Sequence, residues 1–158
     1  GLVLPAGPLR ESLDSLTNAD IIVINGQRDK NFENKILKVN SDLKIFYSKY
    51  KAENLNEFKD KKLFALAGIG NPENFFQLIE NNNLMLEKKI IFPDHYKFSK
   101  REIQNIIFEA DKSGCEIIMT EKDYFKLKNF NLKNINYLKV SLVIEGQENL
   151  LSMVKEII

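Results

Sequence analysis

Apolar positions along this chain recur with two periods. Short runs of continuous or alternating apolar residues, bounded by turn formers, fall at 21–25, 43–50, 62–70, 86–94, 115–120 and 135–145, and each predicts a β-strand. Helical spacing links Phe75, Phe76 and Ile79, then Ile103, Ile106, Ile107 and Ala110, and finally Leu150, Leu151, Val154, Ile157 and Ile158. Strands alternating with helices predict an α/β fold with a mainly parallel sheet and flanking helices. The most polar connection, KYKAENLNEFKDKK at 49–62, is the best internal boundary.

Three predicted strand-to-helix junctions carry local signals. In AGIGNPENFF, Gly68 and Gly70 permit a tight turn, Asn71 suits an N-cap and Pro72 the first helical position. In FPDHYKFSKREI, Ser99 and Glu102 have capping-box spacing, which leaves Asp94 and His95 on the preceding loop. In MTEKDYFKL, Thr120 and Asp123 repeat that spacing, with Glu121 and Lys122 in the first turn. All three junctions have the same polarity. In an open parallel sheet they would line one crevice at the carboxyl ends of the strands, where helix N-termini favour phosphate or another anion.

Composition narrows the picture without deciding it. The chain has 158 residues, 44% hydrophobic, which suffices for one domain or slightly more, and its net charge of +1 supplies no global field for nucleic acid or another polyanion. The single cysteine, Cys115, excludes an internal disulfide framework, and its strand setting favours a packing role, so the cytoplasm is the expected compartment. No apolar run reaches the length of a membrane span.

Each candidate also has a plain structural reading. Gly68, Gly70 and Asn71 fit a simple turn and cap as well as a ligand loop. Glu121, Lys122 and Asp123 fit a solvated first turn that complements the helix dipole. Arg10 and Glu11 fit a surface pair. His95, the only histidine, stands beside Asp94 on the expected crevice edge, and that juxtaposition favours a functional role over a loop histidine satisfied by backbone. LPAGPLRE, at 4–11, places two prolines, a glycine and an Arg–Glu pair almost at the start of the chain, as though chemistry preceded it.

In this order LPAGPLRE, AGIGNPENFF, FPDHYKFS and TEKDYFKL resemble the C-terminal half of tetraacyldisaccharide 4'-kinase, the lipid A 4'-kinase of Gram-negative bacteria, over nearly the whole chain. The resemblance implies the C-terminal part of a P-loop-type kinase, divided at 1–60, the trailing part of the kinase core and connection, and 61–158, a C-terminal α/β domain. It implies transfer of the γ-phosphoryl group of ATP, with Mg2+, to the 4'-hydroxyl of tetraacyldisaccharide 1-phosphate to give lipid IVA, at the cytoplasmic face of the inner membrane. Partners implied are this lipid substrate, an N-terminal half of the same enzyme and a peripheral membrane contact, with no nucleic acid. No G-x-x-x-x-G-K-[ST] occurs in the 158 residues, so a fragment inactive by itself is the expectation.

The site residues implied are few. Arg10 and Glu11 match the Arg–Glu pair near nucleotide and metal, Arg10 to neutralise phosphate charge and Glu11 to help hold magnesium. Asn71 matches a position near the cofactor. His95 matches the histidine of F-P-D-H, which works with an N-terminal aspartate to activate the sugar hydroxyl, while Asp94 orients its loop. Glu121, Lys122 and Asp123 match motif positions without an assigned role, and Tyr96 stands where many members carry a second histidine. The alternative is a non-catalytic α/β module that binds an anionic or phosphorylated ligand in the same crevice.

Overall fold

Leu63 to Ala67 are buried without exception, a continuous apolar run that only a strand covered on both faces explains. In the computed structural model, which describes residues 10–157, this run is the centre of a four-stranded parallel sheet. The elements, in chain order, are a 3-10 turn at Leu13–Asn18, β1 Ile21–Asn25, α1 Lys30–Val39, β2 Lys44–Ala52, β3 Lys62–Ala67, α2 Pro72–Asn81, β4 Met85–Ile91, α3 Lys100–Lys112, β5 Cys115–Thr120, α4 Glu121–Leu127, β6 Ile135–Leu138, β7 Val140–Ile144 and α5 Gln147–Ile157. Short 3-10 turns also occur at Leu55–Glu57 and Lys128–Phe130.

The chain forms two compact units, Gly1–Lys49 with Leu142–Ile158, and Tyr50–Ser141. The first contains β1, which pairs with β2 in parallel, and most of β2 and β7. The second contains the sheet β4-β3-β5-β6, every pairing parallel. These units do not follow a division at 60/61, because the chain crosses within β2 and returns within β7.

In the second unit, strand alternation sorts the core into two layers. Leu63, Ala65, Ala67, Ile118 and Leu138 pack with Phe75, Phe76 and Ile79 of α2. On the other face Phe64, Leu66, Ile117 and Met119 pack with Ile103 and Ala110 of α3 and Leu127 of α4. Full burial of each large apolar side chain contributes roughly 1.5–3 kcal/mol, and this holds the helices against the sheet.

Two expectations change. The single strand expected at 135–145 is two, because the backbone N–H of Lys139 donates to Asn54 Oδ1 at 2.8 Å and leaves the ladder; β6 continues the sheet beside β5, while β7 joins β2. Helix α1 lies where the apolar pattern assigned no element. It buries only Ile36, too little for a visible stripe, yet Asp29 caps it by accepting from the N–H groups of Asn31 and Phe32.

Candidate active site

The crevice begins with three parallel neighbours, β4, β3 and β5; β3 and β4 lead through loops into α2 and α3, and β5 runs directly into α4 at Thr120. Two of those helices are capped as their sequence spacing predicts. Ser99 Oγ accepts from the N–H of Glu102 at 3.2 Å, and Thr120 Oγ1 from that of Asp123, also at 3.2 Å. Asn71 holds the N-cap position of α2 without a side-chain cap bond; its ψ is 80°, against 147° and 148° at the two working caps. Its amide is therefore not committed to the helix.

Asp123 joins two of these junctions. Its side chain is fully buried, against the reading of a solvated first turn. Oδ2 accepts from the Gly68 N–H at 2.7 Å and the Thr120 hydroxyl at 2.8 Å, and Oδ1 accepts from Lys126 Nζ at 2.6 Å. A carboxylate survives such burial only with a counter-charge and full hydrogen bonding, and both are present. A Cβ on Gly68 would stand 3.3 Å from Asp123 Oδ1, which is why glycine occupies the turn after β3.

Asp94 ties in the third junction. Its Oδ1 accepts from Lys122 Nζ at 3.2 Å and from the His95 N–H at 2.9 Å. The hydrogen bond from Lys122 is the main cause that holds the Asp94 carboxyl below its ordinary range, against partial desolvation and with help from the His95 N–H. Gly70 lies across the crevice, where a Cβ would be 3.5 Å from Asp94 Oδ2.

His95 has φ of +60°, left-handed backbone that non-glycine residues seldom adopt. The bond to Asp94 stabilises this turn and sends the ring outward. Its side chain is 79% exposed, with Nε2 3.7 Å from Asp94 Oδ2. Beneath the loop, Phe92, Tyr96 and Phe98 form a ring cluster with centroids 4.9–5.3 Å apart. Tyr96 is thus a packing residue, and its hydroxyl donates to Glu102 at 3.0 Å, which raises its pKa.

The structure brings Asp94 and His95 together with Gly70, the residue before Asn71, and joins them to Lys122. Arg10 and Glu11 are exposed and belong to the first unit, while residues 4–9 of LPAGPLRE lie outside the described residues. Glu121 is the first residue of α4, partly buried. Sequence reading missed Lys126 as the partner of Asp123. The signal was there, a lysine three residues after an N-terminal aspartate, but that spacing also fits an exposed helical pair. A cavity of about 470 Å³ in the first unit, lined by Thr17, Asp20, Asn40, Lys44, Met153 and Glu156 among others, shares no residue with the crevice.

An imidazole, a lysine-held carboxylate and three helix starts stand at one sheet edge of this α/β unit, an arrangement whose chemistry suits anionic or phosphorylated ligands. The family model described as tetraacyldisaccharide-1-P 4'-kinase matches residues 1–158, and the chain belongs to that family. Among curated relatives, the tetraacyldisaccharide 4'-kinase of Pelagibacter ubique is 38% identical over 153 residues, covering 95% of this chain and 49% of the relative. That of Francisella tularensis subsp. novicida is 37% identical over 155 residues, covering 90% and 45%. The chain spans about half the length of these relatives. Among solved structures, LpxK from Aquifex aeolicus, crystallised in complex with ATP, superposes with a TM-score of 0.62 at 23% identity over 98% of this chain and 48% of the other, a likeness of fold.

Proposed function

We propose that this chain is the C-terminal part of a lipid A 4'-kinase and that its crevice receives the sugar end of tetraacyldisaccharide 1-phosphate. The 4'-hydroxyl would take the γ-phosphoryl group of ATP to give lipid IVA. The observation that carries this reading is the crevice pair: an exposed imidazole in a left-handed turn beside a carboxylate held ionised by Lys122.

His95 accepts the proton of the sugar hydroxyl as general base, directly or through a carboxylate of the nucleotide-binding part. Asp94 orients the loop and offsets the charge that the ring gains. Arg10 neutralises charge developing on the transferred group, Glu11 offers a carboxylate to magnesium, and the uncommitted amide of Asn71 borders the nucleotide. Bound ATP supplies the phosphoryl group, and Mg2+ neutralises its oxygens. Among the described residues no group of three or more His, Cys, Asp or Glu gathers as a metal site, so Glu11 is an accessory and no metal step is assigned to this chain. The partner in this reading is an N-terminal part of the same enzyme that carries the phosphate loop, and the 158-residue chain alone has no phosphotransferase activity. The working place is the cytoplasmic face of the inner membrane, reached peripherally; among the described residues no helix is long and apolar enough to cross it.

The test is His95→Ala in a protein that joins this chain to the phosphate-loop part. Turnover falls by roughly 10²–10⁴-fold, the usual range for general-base catalysis, with the melting temperature preserved. Near-normal turnover, or a loss that tracks a lowered melting temperature, removes His95 from the chemistry and favours the non-catalytic anion-binding reading.

A further inference from the structure

Asp94 carries one negative charge, and two cationic groups compete for it. Lys122 Nζ reaches Oδ1 at 3.2 Å, whereas His95 Nε2 stands 3.7 Å from Oδ2, past hydrogen-bond reach. Lysine is charged throughout the working range of pH; imidazole is charged only when protonated. The lysine therefore has the stronger hold on the carboxylate. Its place is fixed by the core. Lys122 is the second residue of α4, whose start is set by the Thr120 cap and by buried Asp123. Asp94 and His95 lie on the loop between β4 and α3, so the contact ties that loop to a rigid element 28 residues away.

Few other charges bear on this pair. Those that act most on Asp94 are Lys122 and His95 itself. Across the crevice stand Gly70 and Asn71, both uncharged. The nearby acids are engaged elsewhere, Glu102 as acceptor from the Tyr96 hydroxyl and Asp123 with Lys126. Lys97 on the same loop is exposed, and Glu121 beside Lys122 is partly buried.

We propose that Lys122 is a positioning residue of the phosphoryl-transfer site: by engaging Asp94 it keeps the imidazole of His95 out of an ion pair, so that the ring meets the sugar hydroxyl as a free neutral base. The inference rests on the reading of His95 as general base and adds the residue that leaves this base available. An imidazole paired with a bare carboxylate is already protonated over more of the pH range, and an imidazolium cannot accept the hydroxyl proton. Oδ2 still faces the ring, so Asp94 offsets charge after the proton arrives, and Lys122 tempers that attraction beforehand.

His95 is the only histidine among the 158 residues, so proton NMR of this chain follows its ring without ambiguity. Lys122→Gln uncovers a carboxylate 3.7 Å from Nε2, and a full charge at that distance in water-like surroundings raises the titration midpoint of the ring by about 0.5–1 pH unit relative to wild type. Lys122→Arg, which keeps the charge, restores the wild-type midpoint. In an Asp94→Asn background Lys122→Gln has no carboxylate to uncover and moves the midpoint less than about half as far, the coupling expected of a residue that acts through Asp94. Circular dichroism melting of each variant sets a titration temperature at which all are folded. In the protein that includes the phosphate-loop part, the acid limb of kcat/KM moves up by the same interval in Lys122→Gln. An unmoved ring titration, or equal movement with and without the Asp94 carboxylate, overturns the role of Lys122 and leaves His95 as base standing. A ring that responds as expected while the acid limb stays in place refutes His95 as base, and the proposal falls with it.

Discussion

Replacing Asp123 by alanine tests the joint on which the crevice depends. The carboxylate is fully buried and takes three donors, the Gly68 N–H, the Thr120 hydroxyl and Lys126 Nζ. Truncation leaves the buried Gly68 N–H without a partner, which alone costs roughly 1–3 kcal/mol. Lys126 loses its counter-charge, but its side chain is 28% exposed and part of that loss returns as hydration. The sum lies near the range for a broken buried pair, about 3–5 kcal/mol, or roughly 6–20 °C in melting temperature for a chain of this size. The assay is urea unfolding followed by tyrosine fluorescence, because Tyr50, Tyr96, Tyr124 and Tyr137 all lie in the unit that carries the perturbation. Asp123→Asn, which keeps the shape and one acceptor, should fall between wild type and alanine. A loss under about 1 kcal/mol for Asp123→Ala would mean that the two loops are held by packing alone, and the electrostatic account of the joint would be refuted.

Other outcomes follow from the same geometry. Asp94 has a folded-state pKa below its ordinary value of 3.8, so its pairing stabilises the fold above that value and the contribution disappears as pH falls through the lower folded pKa; the melting-temperature gap between wild type and Lys122→Gln should close over that acid interval, and a gap independent of pH would contradict it. Gly68→Ala should cost about 1–3 kcal/mol by pressing on Asp123, measured by urea unfolding, with a neutral result showing that the loop can shift. In a protein that includes the phosphate-loop part, Arg10→Ala should lower kcat more than it raises KM for the lipid acceptor; unchanged turnover would return Arg10 to the surface residues.

Periodicity alone was enough for the parallel sheet and for helices α2, α3 and α5, because each strand's burial is a local consequence of its apolar run. The same holds for the caps at Ser99 and Thr120, whose partners lie three residues away. The pairing of Asp94 with His95 is likewise legible, since neighbours in sequence remain neighbours in space. Other features depended on distant partners. The break at Lys139 is made by Asn54, 85 residues earlier, and Asp123 is buried because the turn after β3, 55 residues upstream, supplies its donor. Lys122 meets Asp94 across 28 residues. Spacing along a chain reports which face a residue occupies; which group stands opposite, and so whether a charge is solvated or paired, is settled only when the strands assemble side by side.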